Sequence, residues 1–300
     1  MWTNKVYFLV ILLEIISGCS SPKDKNSEKL LVPKGEDTVS MVLIPAGEFI
    51  MGTNEQQWVY PNESSPSGIS GFYYSSSNPL HKVYLDSFLI DKYEVTNARY
   101  KKFCDVTGKP YPLNPYWDEN YFLGKPNYPV INIGWKEAND YAVWVGKRLP
   151  TEAEWEKAAR GIDGRQWVWG NKPTTEIGSK KFIKWFKNKC NFSDGKEDGS
   201  MDGYKYTAPL GCFPFDKSPY GVMDMAGNVL EWCSDFYDEN YYKTGPDSNP
   251  KNIQPNWCYV TRGGAWNHPI AYARCYTREG HSSVKRYYYI GFRCAKSITK

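Results

Sequence analysis

The stretch GKRLPTEAEWEKAARG, residues 146–161, reads as a helix with both of its ends written out. Thr151 followed three residues later by Glu154 is a capping box. The hydroxyl accepts from the Glu154 amide and the carboxylate reaches back to the Thr151 amide, satisfying two donors that a helix start leaves orphaned. Arg160-Gly161 then closes it, since glycine takes the left-handed backbone that ends helices.

Two more helices lie upstream. In WKEANDYAVWVG, residues 135–146, Ala138, Tyr141, Ala142 and Val145 recur at helical spacing and Gly146 is the stop. In TNARYKKFCDVTG, residues 96–108, Thr96 is the N-cap, Val95 and Tyr100 staple the entry, and Tyr100, Phe103 and Cys104 share a face that Gly108 terminates. Before them, SMVLIPAGEFIMG (40–52) reads as a strand with a turn at Pro45–Gly47. HKVYLDSFLIDKYEV (81–95) continues as a second strand through the alternation of Val83 and Leu85. Pro61 to Pro79 has the composition of a long surface loop. Beyond residue 161 turn formers dominate and strands look short. The expected fold class is α+β, low in regular secondary structure, with short strands and about three helices.

The N-terminus carries a different signal. Lys5, an apolar run from Val6 to Ile16, and then Ile16-Ser17-Gly18-Cys19 make a secretory signal too short to span a bilayer. The ending resembles the lipobox of bacterial lipoproteins, which implies cleavage before Cys19 and acylation of that cysteine. Residues 20–38 are polar and read as a tether. The expected organisation is a signal peptide at 1–18, lipidated Cys19 with its tether at 19–39, and one domain at 40–300. The expected location is the bacterial cell envelope, held at the membrane by lipid. Ser20 favours the outer membrane over the inner.

With 37 basic and 33 acidic residues interspersed, the chain has a net charge of +4 and no basic stripe, so nucleic acid is not an expected partner. Aromatics make up 16%, enough for a rigid core and for amphipathic rings at a ligand surface. Seven cysteines besides Cys19 would lie outside the cytoplasm, where disulfides form, and Cys190 with Cys212 and Cys233 with Cys258 are pairings suggested by proximity in sequence. No zinc-type Cys/His spacing and no close pair among His81, His268 and His281 is present.

Six ordered motifs, MVLIPAGEFIMG, LDSFLIDKYEVTNARYKKF, PVINIGWKEANDYAVWVGKRLPTEAEWEKAARG, SPYGVMDMAGNVLEW, RGGAW and IGFRCA, resemble those of the formylglycine-generating enzyme family, also called sulfatase-modifying factors. The resemblance covers roughly residues 40–296. It implies a variant of the C-type lectin fold supported by calcium at two sites. The first site would use Asn191 and Asp202 with the carbonyls of Phe192 and Tyr204. The second would use Asp224 and Glu231 with the carbonyls of Gly227 and Val229. Hard oxygen ligands of this mixture suit calcium, which the resemblance favours over the reading of Asp202 and Asp224 as formers of Asx-type turns.

The family's oxidation of a protein cysteine to formylglycine implies Cu(I) held by two thiolates five residues apart, soft ligands for a soft ion. Counting forward from Trp266 puts His268 and Ala273 at those places, and counting back from Cys275 puts Ala265 and Ile270 there. Partners that the family's structural cysteines would need are Ala142 and Ala159 here. Copper is therefore not expected, and the resemblance leaves enzymatic activity open. The motif turn Arg262-Gly263-Gly264 reads as fold-defining. The region of His268, Tyr272, Arg274, Arg278 and Tyr287–Tyr289 reads as a ligand groove, with Arg274 either facing a ligand or paired with an acid in the core. The function that follows is a membrane-anchored lipoprotein with a non-oxidase ligand-binding or assembly role toward a protein or peptide. The alternative is a formylglycine-type or other oxidase with altered metal ligands.

Overall fold

The turn at Pro45–Gly47 separates β1 (Met41–Ile44) from β2 (Gly47–Met51), but the two strands enter different sheets. The segment 81–95, expected as one strand, breaks at Asp86-Ser87 into β5 (His81–Leu85) and β6 (Phe88–Asp91). β1 runs antiparallel to β6, with Ile44 opposite Phe88, while β2 runs antiparallel to β5, with Phe49 opposite Val83. On its other edge β6 takes β11 (Ala295–Ser297), so the two ends of the domain meet in one three-stranded sheet. A computed structural model supplies this description for residues 40–55, 57–59, 71–73, 75–171, 185–186, 188–193 and 202–298, all within the unit Pro33–Lys300. The signal, Cys19 and the tether lie outside the described residues.

The span Pro61–Pro79 is not all loop. β4 (Gly71–Tyr73) lies in it, antiparallel to β3 (Gln57–Val59), and a 3-10 turn follows at Ser75–Ser77. The expected helices form as α1 (Asn97–Thr107), α3 (Trp135–Trp144) and α4 (Glu152–Arg160), joined by one-turn helices α2 (Tyr121–Gly124) and α5 (Tyr241–Thr244). Thr96 Oγ1 accepts from the Arg99 amide at 3.2 Å, and Gly108 takes the left-handed backbone at φ 70°. The last sheet has the order β10-β7-β8-β9, from β7 (Leu230–Phe236), β8 (Cys258–Arg262), β9 (Arg278–Ser282) and β10 (Ile290–Gly291).

Helix α4 has no solvent face. Both arms of its capping box close, with Glu154 N to Thr151 Oγ1 at 3.1 Å and Thr151 N to Glu154 Oε2 at 2.8 Å. Its charged side chains are buried with partners, as burial of charge requires. Glu156 accepts from Arg262, from Arg160 at 2.9 Å and from the Gly52 amide at 2.8 Å. Glu152 takes two bonds from the Arg278 guanidinium, at 2.6 and 2.8 Å. Lys157 donates to the Pro45 and Gly47 carbonyls, both at 2.8 Å. The helix is thus the hub that ties β2, β8 and β9 together. Thr151→Ala removes one arm of the box and is expected to lower stability by about 1 kcal/mol in urea unfolding.

The suggested disulfides do not form. Cys190, Cys212, Cys233 and Cys258 are free thiols. Trp232 lies opposite Thr261, whereas the Tyr237 amide bonds the Cys258 carbonyl at 2.9 Å. Cys233 is therefore some four residues along the ladder from Cys258, roughly 13 Å at the usual strand rise, and a disulfide needs Cα atoms within about 7 Å. Cys190 is buried in the main core, and Cys212 is held by Tyr204 outside it.

Candidate functional site

Strand β9 sets Glu279 and His281 two residues apart, so both side chains leave the same face of the sheet. Their partners on β8 are Thr261 opposite Glu279 and Tyr259 opposite His281. The chain leaving β8 turns through Gly263 and Gly264, both at positive φ, and comes back through a 3-10 turn at Ile270–Ala273. A Cβ on Gly264 would meet the Tyr272 carbonyl carbon at 2.9 Å and the Ala273 nitrogen at 3.0 Å, so backbone lies directly on backbone here. This close return brings His268 and Tyr272 over β9, and Tyr289, just before β10, closes the other side.

The result is a cluster of aromatic rings around two histidines. His268 stands 4.7 Å from Tyr272 and 5.4 Å from Tyr289 between ring centroids, and His281 stands 4.9 Å from Tyr287 and 6.0 Å from Tyr289. Thr261 Oγ1 and His281 Nδ1 are 2.8 Å apart and share a hydrogen bond. His268 Nδ1 and Glu279 Oε1 face each other at 3.6 Å, and neither buried atom has a hydrogen-bond partner. Burial, and then His281, pushes the His268 imidazole down to about 3, while burial alone pushes the Glu279 carboxyl up to about 8. His281 falls to about 4, also through burial. Between about 3 and about 8 the Glu279 carboxyl is accordingly protonated and the His268 imidazole neutral, each without charge.

The structure brings His268, Tyr272 and Tyr289 together. Arg274 and Arg278 are not part of that cluster. The Arg274 guanidinium bonds Glu55 and the Tyr276 hydroxyl and lies 4.8 Å from the Trp167 ring centroid. Arg278 is saturated by Glu152, the Ser76 carbonyl at 3.0 Å and the Asp238 carbonyl at 2.8 Å. Both arginines are 3% exposed, and each is held in place by a buried or half-buried acid rather than presented to a ligand. Arg262, fully buried, pairs with Glu156 and donates to the Thr277 carbonyl at 2.8 Å, the fold-defining role expected of it.

Glu279 was not singled out by the sequence reading. The signal that could have found it is the i, i+2 spacing of Glu279 and His281 in REGHS, which reads as one strand face.

Among the described residues no three His, Cys, Asp or Glu side chains converge to hold a metal ion. The calcium sets implied by the resemblance use one or two side chains each with carbonyls, and the structure fits them unequally. In the first set, Asn191 Oδ1 is buried without a hydrogen-bond partner, and Asp202 accepts from the Phe192 and Tyr204 amides at 2.9 Å each. Those bonds and the unpartnered Oδ1 bring Asn191, Phe192, Asp202 and Tyr204 together. A Cβ on Gly227 would fall 2.0 Å from the Asn191 carbonyl oxygen, so the two implied sites share a backbone crossing that only glycine permits.

In the second set, Glu231 is already committed to Arg293, at 2.7 Å for each oxygen, and to the Trp155 indole at 2.8 Å. Asp224 accepts from the Gly211 amide at 2.6 Å and is pushed up to about 6, chiefly by burial. Glu94, absent from the sequence reading, joins it. Its Oε2 has no hydrogen-bond partner and lies 3.9 Å from Arg293, and burial followed by the Asp224 charge raises its pKa well above the usual carboxylate range. Asp224 and Glu94 have oxygen to offer where Glu231 has none.

The positions implied for copper hold His268 and Ala273, or Ala265 and Ile270, none a thiol. Cys275 is a free, buried thiol that burial pushes up to about 12, so it is protonated at neutral pH and has no thiolate to give.

A sequence profile for the sulfatase-modifying factor enzyme 1-like domain matches residues 27–298. The formylglycine-generating enzyme of Streptomyces coelicolor is 31% identical over 304 residues, covering 86% of this chain and 89% of that protein. The inactive C-alpha-formylglycine-generating enzyme 2 of Bos taurus is 29% identical over 302 residues, covering 86% and 88%. Among solved structures, PvdO from Pseudomonas aeruginosa matches with a TM-score of 0.66 at 26% identity, over 88% of this chain and 100% of that one.

Proposed function

The chain belongs to the sulfatase-modifying factor family, and from that premise we propose that it is a calcium-braced ligand-binding or assembly module of the bacterial cell envelope, without the copper-dependent oxidation of cysteine. The observation that carries this reading is chemical. Neither counting of the Arg262 motif yields a cysteine pair, and Cys275, the first thiol after that motif, is buried and held protonated. A relative named inactive resembles this chain about as closely as one named as an enzyme, so overall likeness does not argue for the oxidase. Cys19 is the proposed lipid anchor, and the cluster of His268, Tyr272 and Tyr289 is the proposed contact surface for a protein or peptide, since recognition tends to sit on loops carried by a rigid frame.

Calcium would be held by Asn191 and Asp202 with the carbonyls of Phe192 and Tyr204, and by Asp224 with Glu94 taking the place assigned to Glu231. It would supply charge balance to buried carboxylates and rigidity to the crossing at Gly227, with no part in chemistry.

The test is elemental mass spectrometry on the chain from Cys19 onward after exchange into metal-free buffer, together with a peptide-cysteine oxidation assay supplied with copper. The expected result is calcium near two per chain, falling by about one in Asn191→Ala, with no aldehyde product. Stoichiometric copper with aldehyde formation would establish the second reading, an oxidase with altered ligands, which the relatives' names favour.

A further inference from the structure

A cleft of about 400 Å³ opens between the turn at Pro45–Gly47, the end of α4 and the turn at Pro219-Tyr220. That volume falls within the range of small-molecule sites. Pro45, Ala46, Ile162 and Pro219 make its sides apolar, with the half-buried Tyr220 ring among them. A Cβ on Gly161 would fall 2.8 Å from Pro219 Cγ, so the two sides of the cleft touch at that point.

The one α4 side chain in the wall is Lys157. Its ammonium spends two of three N–H bonds on the Pro45 and Gly47 carbonyls, and both of those residues line the cleft as well. The third N–H has no acceptor among the described residues. Its charge also stands apart from the others on the helix. Glu152 pairs with Arg278, Glu154 with Arg148, and Glu156 with Arg262 and Arg160. Lys157 has no carboxylate within ion-pair reach among the described residues, and burial alone acts on it, lowering its pKa. A buried charge is costly unless it is paired. A buried cation with a donor to spare, in the wall of an open cleft, therefore calls for an anion.

The other charges in the cleft decide which anion. Asp163 is engaged by Arg165 at 2.6 Å and Glu48 by Lys82 at 3.5 Å, so each acid there has its own base. One positive charge and one N–H are left to match. A phosphate dianion exceeds that charge and finds a single donor, whereas a carboxylate fits both, and the apolar sides suit a body without further polar groups.

We propose that this cleft binds a small apolar monocarboxylate, with its carboxylate on the Lys157 ammonium and its hydrocarbon or aromatic body against Ile162 and Tyr220. The site shares no residue with the His268 cluster and gives the module a small-molecule ligand of its own. Binding completes the pairing of charge along α4, and it covers Ile162, which is 67% exposed.

Phenylacetate and phenylacetamide are the probes, alike in shape and differing in charge, titrated calorimetrically into the intact protein at neutral pH in a buffer free of carboxylate and phosphate. Phenylacetate is expected to bind once per chain and at least about tenfold more tightly than the amide, the effect of one hydrogen bond between charged groups. Ile162→Glu alters an exposed side chain and sets a further negative charge in the cleft. It is expected to weaken phenylacetate at least about tenfold while leaving the urea unfolding midpoint unchanged. Lys157→Met is expected to abolish the preference for the carboxylate over the amide, and the Ile162 variant decides the matter where that protein does not fold. Absence of binding by phenylacetate, equal affinity for the amide, or undiminished affinity in Ile162→Glu would each overturn the site. Displacement of phenylacetate by an equal concentration of inorganic phosphate would overturn it in favour of a simple anion site.

Discussion

Exchanging Arg262 for methionine is expected to cost about 3 kcal/mol of stability, the low end of the range for breaking a buried ion pair by removing one partner. The guanidinium is fully buried and meets the Glu156 carboxylate at the centre of α4, with Glu152 3.6 Å away and the Tyr242 hydroxyl at 3.4 Å. Its removal breaks a buried ion pair and leaves Glu156 with Arg160 and the Gly52 amide among its remaining partners. Urea unfolding followed by tryptophan fluorescence reads the effect directly. A single-variant loss below about 1 kcal/mol would mean that the hub is hydrated and that the burial described here does not govern its energetics.

This hub also marks how far the sequence could be read. Thr151 and Glu154 announce α4 from local chemistry alone, as Thr96 and Gly108 announce α1, and the structure places both helices within a residue of their written ends. The choice of sheet partners was not local. Nothing between residues 40 and 52 states that β1 will pair with β6 and β2 with β5, because that is decided by the break at Asp86-Ser87 and by how each strand buries its apolar side. The candidate site divides the same way. His268, Tyr272 and Tyr289 were visible as a cluster of chemical types, whereas Arg274 and Arg278 looked identical to ligand-facing arginines until their acids, Glu55 and Glu152, were located more than 100 residues away. Glu279 and Glu94 were passed over because their surroundings are set by residues distant in sequence: Glu94 meets Asn228 and Arg293, and Glu279 lies opposite Thr261 on β8.

Glu279→Gln is expected to stabilise the protein at pH 8 by about 2 kcal/mol and to change it little at pH 5. The folded carboxyl holds its proton up to about 8, against 4.5 for the ordinary group. Below 4.5 the folded and unfolded chains are both protonated there and nothing is lost. Above it the unfolded chain gives up the proton while the folded one keeps it, so stability falls as pH rises toward 8. Each tenfold change in proton affinity is worth about 1.4 kcal/mol, and with 20% of the Glu279 side chain exposed a net of about 2 kcal/mol is the reasonable share. His268 works in the opposite direction. Held neutral in the fold down to about 3, against 6.5 for the ordinary imidazole, it loses stability as pH falls below 6.5. His281, alongside it, adds to that acid-side loss. Midpoints of urea unfolding at pH 5 and pH 8 for both proteins decide the matter, and a variant equally stable with the parent at pH 8 would show the carboxyl to be ionised and hydrated in the fold.

The burial of α4 has a consequence for the order in which the chain assembles. Glu156 finds Gly52 across 104 residues and Arg262 across 106, and Glu152 finds Arg278 across 126. Contacts so distant in sequence close late, after the loops between them have been ordered. Until β8 and β9 arrive, the helix is a bare row of charges that water holds comfortably and a dry core would reject. The ionic knot therefore acts as a proofreading step: an emerging chain that stops short of Arg278 keeps its central helix wet and its core open, and only the finished C-terminal strands can draw it shut.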